Sequence, residues 1–92
     1  MKDPEGWLPL LKLFLKLKTP KGLDLFCDLF LTIEEKHILA SRYLIIKALL
    51  EDKLPQREIA STYRVSIAQI NRGSNALKRI DPETKQFLKE HL

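Results

Sequence analysis

Cysteine and histidine are scarce in this sequence, which holds one cysteine and two histidines in 92 residues. A single cysteine, Cys27, cannot form an internal disulfide, and its apolar surroundings favour a buried thiol in a reducing compartment. The spacing of Cys27, His37 and His91 builds neither a metal site nor a nucleophile with its base. We therefore expect no enzyme, no catalytic residue and no bound metal.

Uninterrupted apolar runs and β-strand alternation are also missing. Residues 1–6 lack the charge pattern of a signal peptide, and the apolar segment after them is interrupted by Pro9, Lys12, Lys16 and Lys18. We therefore expect a cytoplasmic protein with no membrane partner. Apolar residues recur at helical spacing between Pro, Gly and Asp signals, which predicts an all-α protein.

The first two predicted helices have apolar faces. The first runs from Trp7 to Lys18 with lysines at the edges of its apolar stripe, a pattern that favours packing in a core over binding at a membrane surface. Thr19 and Pro20 suit the cap and the first position of a second helix, which reaches Phe30. That helix is apolar nearly all round.

The third predicted helix has too few polar residues for a solvent-exposed surface. A capping box of Thr32 and Glu35 starts it, and it reaches about Glu51. Between residues 43 and 50 only Lys47 is strongly polar, so most sides of the helix need cover. Because a chain this short encloses little, we expect an obligate dimer whose shared core comes from the first three helices. An efficient monomeric bundle is the alternative.

Positive charge is concentrated in one stretch of the chain. Residues 53–80 hold six basic residues and one acidic residue, Glu58, whereas the net charge of the whole chain is +4. A basic segment attached to a near-neutral body is typical of a nucleic-acid interface. The basic residues are Lys53, Arg57, Arg64, Arg72, Lys78 and Arg79.

The same stretch carries a helix-turn-helix pattern from Gln56 to Asn75. Apolar residues occupy the positions at which the two helices of such a motif pack, and Ala60 is small where the helices cross. Ser66 and Gln69 have the spacing of a capping box at the start of the second helix. The packing positions are Ile59, Tyr63, Val65 and Ile70.

Two positions depart from the usual motif. Arg64 stands in the turn where glycine is usual, and a left-handed backbone there costs on the order of 1 kcal/mol. Arg64 could contact a phosphate or remain solvated. Pro55 stands where a capping Ser or Thr is expected, which predicts a poorly capped first helix.

The second helix of such a motif enters the major groove. Gln69 and Asn71 could then hydrogen-bond to base edges, Ile67 and Ala68 could contact thymine methyl groups, and Arg57 could bond guanine. For each of them, the alternative is a surface residue that touches only phosphate. The DNA-contacting residues predicted from the pattern are Arg57, Arg64, Ser66, Ile67, Ala68, Gln69 and Asn71.

The segment Arg72-Gly73-Ser74-Asn75, with Gln56-Arg57-Glu58 upstream and Arg42 in the third helix, resembles the tryptophan repressor family. The likeness runs without gaps from about Leu29 to the C-terminus. It implies an all-α, six-helix intertwined homodimer that binds palindromic operator DNA when L-tryptophan is bound as corepressor. It also implies one domain over residues 1–92, with dimerisation helices at 1–51, the helix-turn-helix at 52–78 and a C-terminal helix at 79–92.

The resemblance also implies roles for individual residues. The indole would lie between Arg42 and Arg72, whose guanidinium planes suit an aromatic face and a carboxylate. Gly73 would leave room for the indole, or else serve only as a packing contact. Further DNA contacts would be Gln56, Ser41 and Arg72. The implied tryptophan-binding residues are Leu29 and Leu31 through their carbonyls, Thr32, Arg42, Arg72, Gly73 and Ala76.

Three residues depart from the family's usual pattern. Ala76 replaces a serine that helps to bind the ligand's amino group. The missing hydrogen bond weakens the free energy of ligand binding by on the order of 1 kcal/mol. Gln69 and Asn71 stand where threonines are usual, so the base preference could differ. Two other functions remain open, a DNA-binding dimer that ignores tryptophan and a protein-interaction module on the same scaffold.

Overall fold

The computed structural model describes residues 3–92, and these residues form helices and no strand, as the apolar spacing predicts. The chain divides into a first unit that ends at Glu34 and a second unit that begins at Glu35. The described helices are α1 (Trp7–Phe14), α2 (Pro20–Phe30), α3 (Ile33–Glu51), α4 (Gln56–Tyr63), α5 (Ile67–Arg79) and α6 (Pro82–His91).

The first helix is shorter than the sequence predicts. It ends at Phe14 and not at Lys18, and the next turn is closed by backbone bonds of 3.0 and 3.2 Å to carbonyls three residues back. Thr19 is extended, with φ −126° and ψ 147°, because a residue before proline avoids helical backbone. Its side-chain oxygen accepts the Gly22 N–H at 3.0 Å, which confirms the predicted cap of α2.

The first unit has no fully buried side chain among residues 3–34. Its aromatic rings do pack: Phe14 meets Phe26 edge to face at 5.1 Å, and Phe26 lies 4.7 Å from Phe30. The expectation of a buried thiol is wrong for the single chain, since Cys27 is half-buried. The physical reason is that these two helices have no core of their own, and Leu29 is 78 % exposed.

The second unit has a small apolar core in which α3 packs on α4 and α5. Ala60 and Tyr63 of α4 lie against this core, in agreement with the predicted packing positions. The α3 helix ends at Glu51 as expected, yet it buries only Ile45 and Ala48 fully. The core residues are Ile45, Ala48, Ile59, Val65 and Ile70.

Helix α5 crosses α3 closely at Gly73, which is buried. A Cβ added to Gly73 would lie 2.8 Å from Cγ2 of Ile45 and 3.8 Å from Cδ1 of Leu49. Carbon atoms do not normally approach to 2.8 Å, so glycine sets the distance between the two helices. The structure therefore gives Gly73 the packing role that the sequence left open beside a ligand role.

Helix α6 begins with a well-formed cap. The Asp81 carboxylate accepts the backbone N–H of Thr84 at 3.0 Å and its hydroxyl at 2.7 Å, and Pro82 occupies the first turn.

Within residues 3–92, no helix is long and apolar enough to cross a membrane.

Candidate nucleic-acid interface and ligand site

The turn between α4 and α5 has the left-handed residue that the motif requires. Arg64 has φ 55° and ψ 47°, as expected for the position where glycine is usual. This conformation lets the N–H of Val65 donate to the Ala60 carbonyl at 3.1 Å, which closes the C-terminus of α4. Val65 is thereby turned into the core, and Arg64 stays exposed.

The start of α5 is held by the predicted capping box. The Gln69 N–H donates to Oγ of Ser66 at 3.0 Å, and the Ser66 N–H donates to Oε1 of Gln69 at 2.8 Å. The start of α4 is different, because Pro55 offers no side-chain cap. Both features agree with the sequence analysis.

Helix α5 has one polar, exposed face opposite its buried face. Ile70 and Gly73 are buried, whereas Ala68, Asn71 and Arg72 are exposed. Ile67 at the first turn is 48 % exposed, and Gln69 is half-buried at the edge of the two faces. The exposed face begins at the N-terminal turns of the helix, which are the turns that a helix-turn-helix presents to DNA.

The remaining predicted DNA contacts lie on the neighbouring helices. Gln56 and Arg57 are exposed in the first turn of α4, and Ser66 is exposed before α5. Ser41 is half-buried on α3. It lies one helical turn before Ile45, on the face of α3 that packs against the motif.

The predicted tryptophan-binding residues fall in both units. In the second unit, Arg42 is half-buried on α3 three residues before Ile45, the residue that Gly73 approaches. Arg72 is exposed on α5, and Ala76 is half-buried one turn later.

In the first unit, the predicted ligand residues lie at the end of α2. Leu31 follows the helix with extended backbone, φ −118° and ψ 142°. Carbonyls in the last turn of a helix, such as that of Leu29, have no partner within the helix. Thr32 precedes α3, and its predicted capping box with Glu35 stays a prediction.

Two cavities in the second unit lie away from the predicted ligand residues. One of about 320 Å³ lies between α3, α5 and α6, and one of about 250 Å³ lies between α3 and α6. Neither is lined by Arg42, Arg72, Gly73 or Ala76. The larger is lined by Leu49, Leu50, Asp52, Ser74, Leu77, Lys78, Lys85 and Lys89.

The part of the chain that the structure describes holds no cluster of three or more His, Cys, Asp or Glu side chains able to bind a metal. The Asp81 carboxylate at the start of α6 has a lowered pKa. The hydroxyl and backbone N–H of Thr84 hydrogen-bond the Asp81 carboxylate and hold its pKa below the ordinary value.

Known proteins are similar in sequence to this chain over nearly its whole length. The model of the Trp repressor protein family matches residues 5–92. The chain belongs to the Trp repressor family. A Trp operon repressor homolog from Chlamydia caviae is 58 % identical over 87 residues, covering 95 % of this chain and 86 % of its own length.

More distant members of the Trp repressor family also match. A Trp operon repressor homolog from Chlamydia trachomatis serovar D is 52 % identical over 94 residues and covers 100 % of both chains. One from Haemophilus influenzae is 40 % identical over 67 residues, 73 % of this chain and 66 % of its own length. The predicted family is thus confirmed, and the chain belongs among helix-turn-helix transcriptional repressors.

Sequence reasoning missed three features of this Trp repressor family member. Asp52 has a left-handed backbone with φ 53°, which ends α3. The cap by Asp81 was also missed, although Asp-Pro-x-Thr is a recognisable start signal. The close contact of Gly73 with Ile45 has no sequence signal, because the two residues meet only in the folded chain.

Proposed function

We propose that this protein is a homodimeric repressor in the cytoplasm that binds palindromic operator DNA when L-tryptophan is bound as corepressor, and so regulates genes of tryptophan metabolism. The observation that carries the proposal is that α5 combines a face suited to DNA with a residue suited to bind the ligand. Its exposed polar face suits DNA, and on the same helix Arg72 stands next to Gly73, which packs on Ile45 of α3, three residues after Arg42 in the chain.

DNA binding uses two kinds of contact. Phosphate contacts position the protein, whereas contacts with base edges select the sequence. Arg57 is exposed at the start of α4, where a guanidinium can pair with the O6 and N7 atoms of guanine. The base-contacting residues are Arg57, Ile67, Ala68, Gln69 and Asn71, and the phosphate-contacting residues are Ser41, Gln56, Arg64, Ser66 and Arg72.

Tryptophan binding uses the chemistry of two guanidinium groups. Arg42 and Arg72 stack on the indole, and Arg72 pairs with the ligand's carboxylate together with Thr32. The carbonyls of Leu29 and Leu31 in the partner subunit accept hydrogen bonds from the amino group.

Ala76 offers no hydroxyl to the ligand. One hydrogen bond fewer corresponds to about fivefold weaker binding, so an analogue that lacks the amino group loses less affinity here than at a site with serine.

Uncovered apolar surface supports the proposed homodimer. The helices α1 and α2 bury no residue fully, and Leu15 is 83 % exposed. On α3, the side chains of Ile38, Leu39 and Tyr43 are each at least half exposed, away from the core of the second unit. A chain of this size gains stability when such apolar surface is covered, and a second copy covers it.

The corepressor role is tested by fluorescence anisotropy with a labelled duplex obtained by selection from random sequences in the presence of L-tryptophan. Binding should tighten severalfold or more when L-tryptophan is added. Equal affinity with and without the amino acid would leave a ligand-independent DNA-binding dimer. If the protein bound no DNA at any salt concentration, a protein-interaction module would be favoured.

A matched pair of variants separates ligand response from simple charge loss. Arg72→Ala and Arg79→Ala each remove one positive charge from the exposed face of α5. Only Arg72→Ala should abolish the response to L-tryptophan, since Arg79 lies two turns away. An equal loss of response in both variants would contradict the assigned site.

The oligomeric state is tested by sedimentation velocity across a dilution series. A dimer at micromolar concentration is expected, with a midpoint of thermal unfolding that rises with protein concentration. A monomer with a concentration-independent midpoint would contradict the proposal.

A further inference from the structure

Helix α5 carries two side-chain amides in its first two turns, and their surroundings differ. Gln69 is half-buried, and its Oε1 accepts the Ser66 N–H at 2.8 Å in the capping box. Asn71 is exposed, and within residues 3–92 no hydrogen bond holds its amide. The Asn71 amide can therefore turn both its oxygen and its nitrogen toward one base without breaking a bond of the fold.

The neighbours of Asn71 on the helix surface leave room for a base. Residues three and four positions apart on a helix are adjacent, so Ala68 and Ile67 lie one turn before Asn71 on its side of α5. Ala68 is exposed, and Ile67 is 48 % exposed. A short amide reaches a base edge only when the helix comes close to the bases, and Ala68, with its single methyl group, permits this approach.

The major groove presents one base that matches both ends of a free amide. Adenine has an acceptor at N7 and a donor at its N6 amino group, which an asparagine amide binds by two hydrogen bonds. Guanine and thymine present acceptors without a donor, and cytosine presents a donor without an acceptor. Adenine is therefore the base that satisfies the oxygen and the nitrogen of the amide together.

We propose that Asn71 determines sequence specificity by binding adenine in the major groove through two hydrogen bonds. This inference rests on the proposed DNA binding through α5, and it names the base that the exposed amide selects. The family usually has threonine at this position, and a single hydroxyl cannot bind N6 and N7 as an amide does. We therefore expect an adenine preference that threonine does not give.

The test is selection of duplexes from a random library, with L-tryptophan present, by wild type, Asn71→Ala and Asn71→Asp. The base pair that Asn71 reads is the one whose preference disappears in Asn71→Ala. Wild type should enrich adenine there, by about 5-fold or more in relative affinity for one bidentate pair. Asn71→Asp has the same shape but no N–H, and a carboxylate accepts from the cytosine amino group, so the advantage of adenine over cytosine should be lost.

The matched control is Asn75→Asp, which introduces the same charge. Asn75 is exposed one turn after Asn71 on the same side of α5. It lies farther from the end of the helix that enters the groove, so the adenine preference should remain. Loss of this preference in both variants would show an effect of charge alone and overturn the inference. Helical circular dichroism and thermal melting confirm that each variant is folded.

A modified duplex tests the bond to N7 without changing the protein. Replacing the selected adenine by 7-deazaadenine removes the N7 acceptor and leaves the pairing with thymine intact. Wild type should lose about 5-fold in affinity, which corresponds to one hydrogen bond, and Asn71→Ala should lose little. Equal losses in the two proteins would contradict a bond from Asn71 to N7.

The outcomes separate this inference from the proposed function. If Asn71→Ala weakens the binding of all duplexes alike, or if wild type prefers another base at the position that Asn71 reads, the adenine assignment is overturned and DNA binding stands. If wild type enriches no sequence while folded and saturated with L-tryptophan, the proposed function fails and the inference fails with it.

Discussion

Replacing Gly73 by alanine probes how α5 is seated on α3. The added Cβ would lie 2.8 Å from Cγ2 of Ile45, against about 3.5–4.0 Å for a favourable carbon contact. Overpacking of this kind costs about 1–3 kcal/mol. Alanine recovers about 1 kcal/mol through its higher helix propensity. We expect Gly73→Ala to lower the free energy of unfolding by about 0–2 kcal/mol.

A double-mutant cycle isolates the contact more sharply than the single change. Ile45→Ala removes Cγ2, and in that background Gly73→Ala should no longer destabilise and should stabilise by about 1 kcal/mol. Ile45→Val is the matched control, because valine keeps both γ carbons and the clash with them. Gly73→Ala is therefore expected to lower the free energy of unfolding in the Ile45→Val background and not in the Ile45→Ala background.

The assay is urea unfolding of all variants at one fixed protein concentration, since the stability of a dimer depends on concentration. A change in midpoint at a constant slope reports stability alone. If Gly73→Ala costs the same free energy in the Ile45→Ala and Ile45→Val backgrounds, the approach of α5 to Ile45 does not determine the effect, and the packing role of Gly73 is refuted.

Three further predictions concern the turn, the C-terminal helix and base reading. Arg64→Gly should raise the free energy of unfolding by about 1 kcal/mol by relieving the left-handed backbone, and Arg64→Lys should not; equal urea midpoints for the two variants would contradict this. The pKa of Asp81 is lowered in the fold, so its stabilisation of α6 is present above the ordinary value of 3.8 and is lost as the pH falls through the lowered pKa. Asp81→Asn keeps the cap without a titrating group. Lowering the pH should therefore reduce the protection of the α6 amides from exchange in the wild type, and reduce it less in the variant. Identical protection in the two proteins at every pH would contradict this. Arg57→Ala should lose sequence discrimination and keep most salt-dependent binding, measured by anisotropy with selected and scrambled duplexes, whereas uniform weakening would rule out base reading.

Local signals predicted much of the motif. The left-handed turn at Arg64, the Ser66–Gln69 capping box and the missing cap at Pro55 depend on residues close together in the chain, so their chemistry is readable from sequence. The start of α2 at Thr19 is readable for the same reason. The error at the end of α1 arose because the apolar spacing continues to Leu17, and spacing does not distinguish the helix from the turn after Phe14, whose bonds run to carbonyls three residues back.

Features that depend on distant residues could not be predicted. The 2.8 Å approach to Ile45 explains Gly73 as a packing residue, and nothing near Gly73 in the sequence indicates that partner.

The half-buried state of Cys27 shows that burial also depends on residues far from it in the sequence. Its apolar neighbours predict a core, but that core is not completed within residues 3–34. Burial there depends on the second copy that we propose, so sequence patterns alone cannot say which chain supplies the cover.

The central claim, that tryptophan and DNA act on one helix, is tested most directly by calorimetric titration of L-tryptophan into the free protein and into its complex with the selected duplex. Linkage requires that DNA tighten tryptophan binding by the same factor by which tryptophan tightens DNA binding. We expect the two factors to agree and to exceed one severalfold, with Arg72→Ala reducing both toward one. Equal tryptophan affinity in the free and DNA-bound protein would contradict the account.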